Sequence, residues 1–207
     1  LIPFISTGDL SAVVGQDVAG DDLAQIAIDS SCEMIRSYLG QRLNYLADEE
    51  VMMGGSGGMA LVLPEMPIVS ITSITVDGTE ETDFVYVKKA GLVYRGDSQT
   101  WPRGVANIAV TYSHGYAVQE SDVELDPTDD TPLPDRMPSD IRRVALALAQ
   151  RIFVSAGTVL GAKSSETISP DSYSYTISES ASQAAAQAVI QRDEMLVLDF
   201  HRFAGVA

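Results

Sequence analysis

Residues 137–155, running from Met137 through Pro138, Ser139 and Asp140 to Ser155, limit the folds open to this chain more than any other stretch. Apolar side chains recur at Ile141, Val144, Ala145, Leu148 and Ile152, with Val154 beside them, which is the period of a helix. Leu146 and Phe153 widen the stripe, so the helix is expected to be contacted on more than one side. Pro138 and Ser139 suit its first turn, and Gly157 is expected to stop it. A chain with such a helix near its middle folds by packing its remaining elements on it. The segments upstream of 137 have the patterning to do so, whereas those after 157 read as reaching away.

Two further helices are predicted before it. Thr7 to Leu10 opens a short one near 7–14, with Gly15 at its end. A longer one near 20–39 starts at Asp21 and Asp22, whose charges suit a helix N-terminus. Its apolar face is Ile28, Cys32, Ile35 and Leu39, at i, i+4, i+7 and i+11. Cys32 therefore reads as a small core residue. As the single cysteine it excludes an internal disulfide and fits a reducing compartment.

Residues 59–113 carry strand patterns with no long helical interruption, so the prediction is an antiparallel β element and not parallel β-α-β units. Met59–Leu63 is one strand, and Ile68–Val76 is β-branched throughout. In the latter, the apolar phase slips by one residue near Thr72 and Ser73, which predicts a bulge. Phe84–Val87 and Leu92–Arg95 form a hairpin, and Ile108, Val110, Tyr112 and His114 share one face of a last strand. Residues 48–58 read as a break, charged at Asp48–Glu50 and flexible at Gly54–Gly58.

Beyond Gly157 the chain turns serine-rich. Tyr173, Tyr175 and Ile177 alternate with Ser172, Ser174 and Thr176, a strand near 172–178 that needs a sheet edge to pair with. A helix near 181–200 follows, capped by Ser180 or Ser182, with Val189, Leu196 and Phe200 along one face. The expected division is a domain of residues 1–156, holding the β insertion 59–113, and a C-terminal arm of residues 157–207. The fold class is α+β.

Thirteen basic against 29 acidic residues give a net charge of −16. Such a surface repels phosphate at long range, which argues against wrapping DNA or an anionic membrane, yet lets a polyanion slide past. No apolar run approaches the ~20 residues of a membrane-spanning helix. Residues 1–5 lack the charged start and long apolar core of a signal peptide.

Several motifs fail on inspection. Gly54–Gly58 matches G-x-S-x-G around Ser56, but a nucleophile elbow needs a strand before it and a helix after it. Gly157–Ser164 approaches a P-loop, but Ala162 stands where glycine is required and a helix precedes it. The acidic, proline-rich loop at 119–136 has Pro127 and Leu133 where a calcium loop counted from Asp122 needs glycine and glutamate. His114 and His201 are far apart in sequence and start no metal-ligand pair. No metal or cofactor is expected, and no catalytic residue is assigned. A small acidic hydrolase using Ser56 or His114 stays as an alternative, to be decided by whether His114 meets both a carboxylate and a hydroxyl.

Three stretches together resemble a known family. They are Phe4–Gln41; Leu61–Gly78 with Gly91–Arg95, Trp101-Pro102 and Ile108–Tyr116; and Met137–Arg143 with the helix after it. In order and spacing they are similar to the head-to-tail adaptor (head completion or connector) proteins of tailed bacteriophages. The resemblance spans most of residues 4–156, and the loop at 119–136 is longer than the family pattern. It implies a homo-oligomeric ring, usually dodecameric, in the virion neck, assembled from protein made in the host cytoplasm. Such a ring joins the capsid portal to a stopper or tail-completion protein, surrounds the channel through which DNA passes without specific binding, and involves no membrane. The helix-first order and long C-terminal helix favour an adaptor over a stopper. Within this reading, Tyr173, Tyr175, Ile177, Val189, Leu196 and Phe200 are the expected partner-interface residues.

Overall fold

A computed structural model describes residues 2–96, 98–118, 132–161, 163–169, 172–177 and 189–202, with backbone alone for 157–161, 163–169 and 172–177. The fold is α+β. The chain divides into two compact units, one formed by residues 1–2, 39–138 and 202–207, the other by residues 3–38 and 139–201. The boundaries thus fall on either side of the β region, and residues on both sides of position 156 share one unit.

The helical unit contains α1 (Thr7–Val14), α2 (Asp22–Leu39), α3 (Ser139–Gly161) and α4 (Arg192–Asp199), with strands β8 (Lys163–Ser169) and β9 (Ser172–Ile177) between the last two helices. Ser6 caps α1: its Oγ accepts the Asp9 N–H, and the Asp9 carboxylate accepts the Ser6 N–H. Arg142 on α3 reaches the same Asp9 carboxylate, at 3.4 Å. Burial pushes the Asp9 carboxyl up, but the Ser6 hydrogen bonds and the Arg142 charge more than offset this and hold it below the usual range. Ile28, Cys32, Ile35 and Leu39 are buried as their spacing predicts, and so are Ile141, Val144, Ala145, Leu148 and Phe153. Cys32 Sγ accepts the Phe4 N–H, and burial raises its thiol pKa, so it is a core residue.

The helix expected at 138–156 continues through Gly157 to Gly161. One glycine costs a helix only about 1 kcal/mol, so Gly157 is a weak stop without a left-handed turn behind it. The strand at 172–177 does find an edge. It pairs antiparallel with β8, with Ile168 opposite Tyr173 and Glu166 opposite Tyr175.

The β unit holds a four-stranded sheet in the order β1-β7-β3-β4, from β1 (Leu46–Met53), β3 (Ile68–Val76), β4 (Thr79–Glu80) and β7 (Ile108–His114). A second sheet, β2-β6-β5, is built from β2 (Ala60–Val62), β5 (Phe84–Val87) and β6 (Leu92–Arg95). All pairings are antiparallel. Between the sheets lies one cluster that includes Leu61, Val93, Ile74, Ile108, Val110, Tyr112 and Trp101. The Trp101 Nε1–H donates to the Val93 carbonyl, which satisfies the one polar atom of that buried ring. The predicted bulge is present, with β3 shifting register on β7 between Ile71 and Ser73.

Two expectations for residues 48–58 fail. Leu46–Met53 is an edge strand, although Asp48, Glu49 and Glu50 give it the composition of a loop. Charge on an edge strand is the usual guard against sheet-to-sheet aggregation. Val51 and Met53 point at the core while Glu50 and Met52 face outward. The glycine run after it is tied down by hydrogen bonds. Gly55 N–H donates to Asn107 Oδ1, Gly104 N–H to the Gly55 carbonyl, and Trp101 N–H to the Gly58 carbonyl. A Cβ on Gly55 would stand 1.7 Å from the Pro102 oxygen, so glycine here permits two backbones to touch.

Candidate partner interface

Helix α4 is short and highly charged, and its position depends on polar ties. Gln191 is its N-cap, and the Gln191 N–H donates to Glu194 Oε2 at 2.9 Å. Glu194 is buried, yet fully engaged: Arg151 of α3 grips both its oxygens, at 2.9 and 2.6 Å, in the two-pronged geometry that suits guanidinium and carboxylate. Arg151 also donates to the Val189 carbonyl at 3.3 Å. At the other end, the Tyr38 hydroxyl donates to Asp199 at 2.8 Å, and His201 Nε2 lies 2.8 Å from Asp140 Oδ2 at the start of α3. Burial pushes the Asp140 carboxyl up, but the His201 and Ile141 hydrogen bonds outweigh it and hold the pKa below its ordinary value. Leu198, one turn after Glu194, is buried with it.

With Glu194 and Leu198 turned inward, α4 presents the opposite face. Leu196 is 61% exposed and Phe200 89% exposed, with Met195 beside them. Phe200 is thus an exposed aromatic side chain at the end of an anchored helix.

The structure therefore treats the predicted interface residues unequally. Leu196 and Phe200 lie one turn apart, both exposed. Val189 is exposed but precedes the helix, because the chain is extended at Gln191 and the helix begins only at Arg192. The prediction of one helix over 181–200 capped by a serine is corrected to that extent; residues 178–188 lie outside the described residues. Tyr173, Tyr175 and Ile177 are on β9, and their side chains also lie outside the described residues. Sequence reasoning missed the Arg151–Glu194 tie. The local signal present, Gln191-x-x-Glu194, has a capping-box spacing that marks the helix start, not the Arg151 partner.

The catalytic alternative turns on His114, in the β unit. His114 is buried, with Nε2 2.8 Å from Glu49 Oε2 and Nδ1 buried without a hydrogen-bond partner among the described residues. Glu49 in turn pairs with Arg42 at 2.7 Å. Burial raises the Glu49 pKa, but the His114 hydrogen bond and the Arg42 charge outweigh it, and the carboxyl sits below its ordinary value. Thus, among the described residues, His114 meets a carboxylate and hydrogen-bonds to no hydroxyl. Ser56 is exposed, and its Oγ accepts the Gly58 N–H. Among the described residues, no cluster of three or more His, Cys, Asp or Glu side chains is arranged to hold a metal, and no helix is long and apolar enough to cross a membrane.

No protein-family model matches the chain. No curated protein matches it either. Among solved structures it is similar to a chain in the neck of an empty GTA (gene transfer agent) particle computed with C6 symmetry. That match has a TM-score of 0.51 and 12% identity, and covers 100% of this chain and 94% of the other. A chain of the virion of a native gene transfer agent particle gives a TM-score of 0.49 at 12% identity, over 100% and 94% of the two chains. A chain in the neck of a native GTA particle computed with C12 symmetry gives 0.45 at 11% identity, over 100% and 97%. At such identities the first of these shows a shared fold.

Proposed function

We propose that this protein is a structural neck component of a tailed, phage-like particle. It forms an oligomeric ring, of twelve copies in the adaptor reading, that joins the capsid portal to a stopper or tail-completion protein and surrounds the DNA exit channel. The observation that carries the proposal is the fold likeness along the whole chain to a neck protein. Three features of the chain support it. The net charge of −16 suits a wall past which DNA moves without sticking. Leu196 and Phe200 form an exposed apolar face on a helix held by its own charge pairs. Strand β9 ends a hairpin whose tyrosines and isoleucine alternate with polar residues. In this reading Tyr173, Tyr175, Ile177, Val189, Leu196 and Phe200 contact neighbouring copies or the portal.

Replacement of Tyr173, Tyr175 and Ile177 by serine tests this reading. Sedimentation velocity should show loss of assembly while the thermal transition stays close to that of the parent chain. Unchanged assembly of that variant would remove the hairpin from the interface.

A further inference from the structure

The three-stranded sheet buries one face against the central cluster, through Leu61, Val93 and Tyr86. Its other face should be polar if water were its only neighbour. The cross-strand register shows otherwise. Tyr94 lies opposite Val85 on one side and Ala60 on the other, and Leu92 lies opposite Val87 and Val62. Those two rows of three are the outward positions, because the strand period is two and the row between them, Tyr86–Val93–Leu61, points inward. All six side chains are apolar or aromatic. Val62, Val85 and Val87 are 40%, 60% and 48% exposed. Next to the second row stand Lys88 and Lys89, both exposed and without an ion-pair partner among the described residues.

We infer that this outer sheet face, with Lys88 and Lys89 at its rim, is a docking surface for α4 of a second copy of the chain. Charge selects the occupant. On a molecule of net charge −16, most faces of one copy repel most faces of the next. Here two adjacent lysines border an apolar patch, and α4 offers the complement: Leu196 and Phe200 exposed, with Asp193 exposed on the same short helix. The two surfaces differ, so the contact is head-to-tail, the kind that generates a ring when its rotation closes. Three strands about 4.8 Å apart and two rows about 7 Å apart give roughly 200 Å² of sheet. That is well under the ~800 Å² per partner of a stable stand-alone pair, so one contact is weak and a closed ring of them is not. The inference rests on the ring reading above and names the surface that reading leaves open.

Cysteine pairing tests it. The native Cys32 is buried and its thiol pKa raised, so it stays silent. Val85→Cys and Leu196→Cys chains, made separately and mixed under mild oxidation, should give a mixed disulfide dimer. Its yield should exceed either self-pair, and a control pair with Ser37→Cys, by about tenfold, because docking raises the local thiol concentration. Lys88→Glu with Lys89→Glu should suppress it, and Asp193→Lys in the partner should restore it. Dominant Val85→Cys self-pairs would mean that the face meets its own copy; no excess of the mixed dimer would mean that something else covers it. Either outcome overturns the inference. Light scattering on the parent chain separates the two readings: rings without the mixed dimer overturn only this inference, and the mixed dimer without rings overturns only the ring.

Discussion

Replacing Glu194 by alanine should release α4 while leaving the rest of the molecule folded. The substitution removes two charge-assisted hydrogen bonds from Arg151, at 2.9 and 2.6 Å, and the cap bond from the Gln191 N–H. Taking one partner from a buried ion pair costs about 3–5 kcal/mol, most of it from the charge left behind. The Arg151 side chain is 18% exposed and keeps the Val189 carbonyl, which points to the lower end of that range. A loss of about 3 kcal/mol is a factor of roughly 150 in the local opening equilibrium. Amide exchange reads this directly, since protection of residues 195–199 reports the opening of α4. That protection should fall by the stated factor, while amides of α2 and β7 change little. Replacing both Arg151 and Glu194 by leucine should restore most of it, because an apolar pair leaves no orphaned charge. Unchanged exchange in α4, or an equal fall across α2, would refute the claim that this pair is a local anchor.

Other consequences are as specific. Leu198→Ala empties a fully buried site and should destabilise by about 2–5 kcal/mol, whereas Leu196→Asp should leave the melting temperature unchanged and reduce association. Gly55→Ala forces a Cβ into the Pro102 carbonyl and should cost more than the roughly 1 kcal/mol expected of Gly15→Ala, whose left-handed cap has open space around it; differential scanning calorimetry compares them. Glu49, with a depressed folded pKa, contributes stability that is fully present above its ordinary value of 4.5 and is lost as pH falls through the folded pKa. The acid limb of denaturant stability should therefore flatten in Glu49→Gln, with no change near pH 7 in the slope against pH.

Local pattern made part of this fold legible. The slip of apolar phase at Thr72 and Ser73 announced the bulge because sheet faces alternate strictly, and Ile28, Cys32, Ile35 and Leu39 marked the buried side of α2. What escaped was set by partners distant in sequence. Asp48–Glu50 look like loop because an edge strand has only one flank to bury. Gly54–Gly58 look like linker because composition does not distinguish glycine used for freedom from glycine used for close approach; only the Pro102 backbone, 47 residues past Gly55, makes the distinction. β8 is built mostly of serine, threonine and charge, and its strand character comes from β9 opposite it. The candidate interface was half visible. Helical spacing brought Leu196 and Phe200 together, but the break at Gln191 that separates Val189 from them depends on Arg151 and Glu194 meeting across two helices.

The central claim is that copies of this chain close into a ring in a particle neck. Light-scattering mass combined with negative-stain imaging of the concentrated protein, alone and with portal-bearing capsids, tests it most directly. The account predicts a mass that is a whole multiple of 22.1 kDa, seen as closed rings with an open centre, free or seated on the portal. A monomer that neither self-associates nor binds the portal would contradict it.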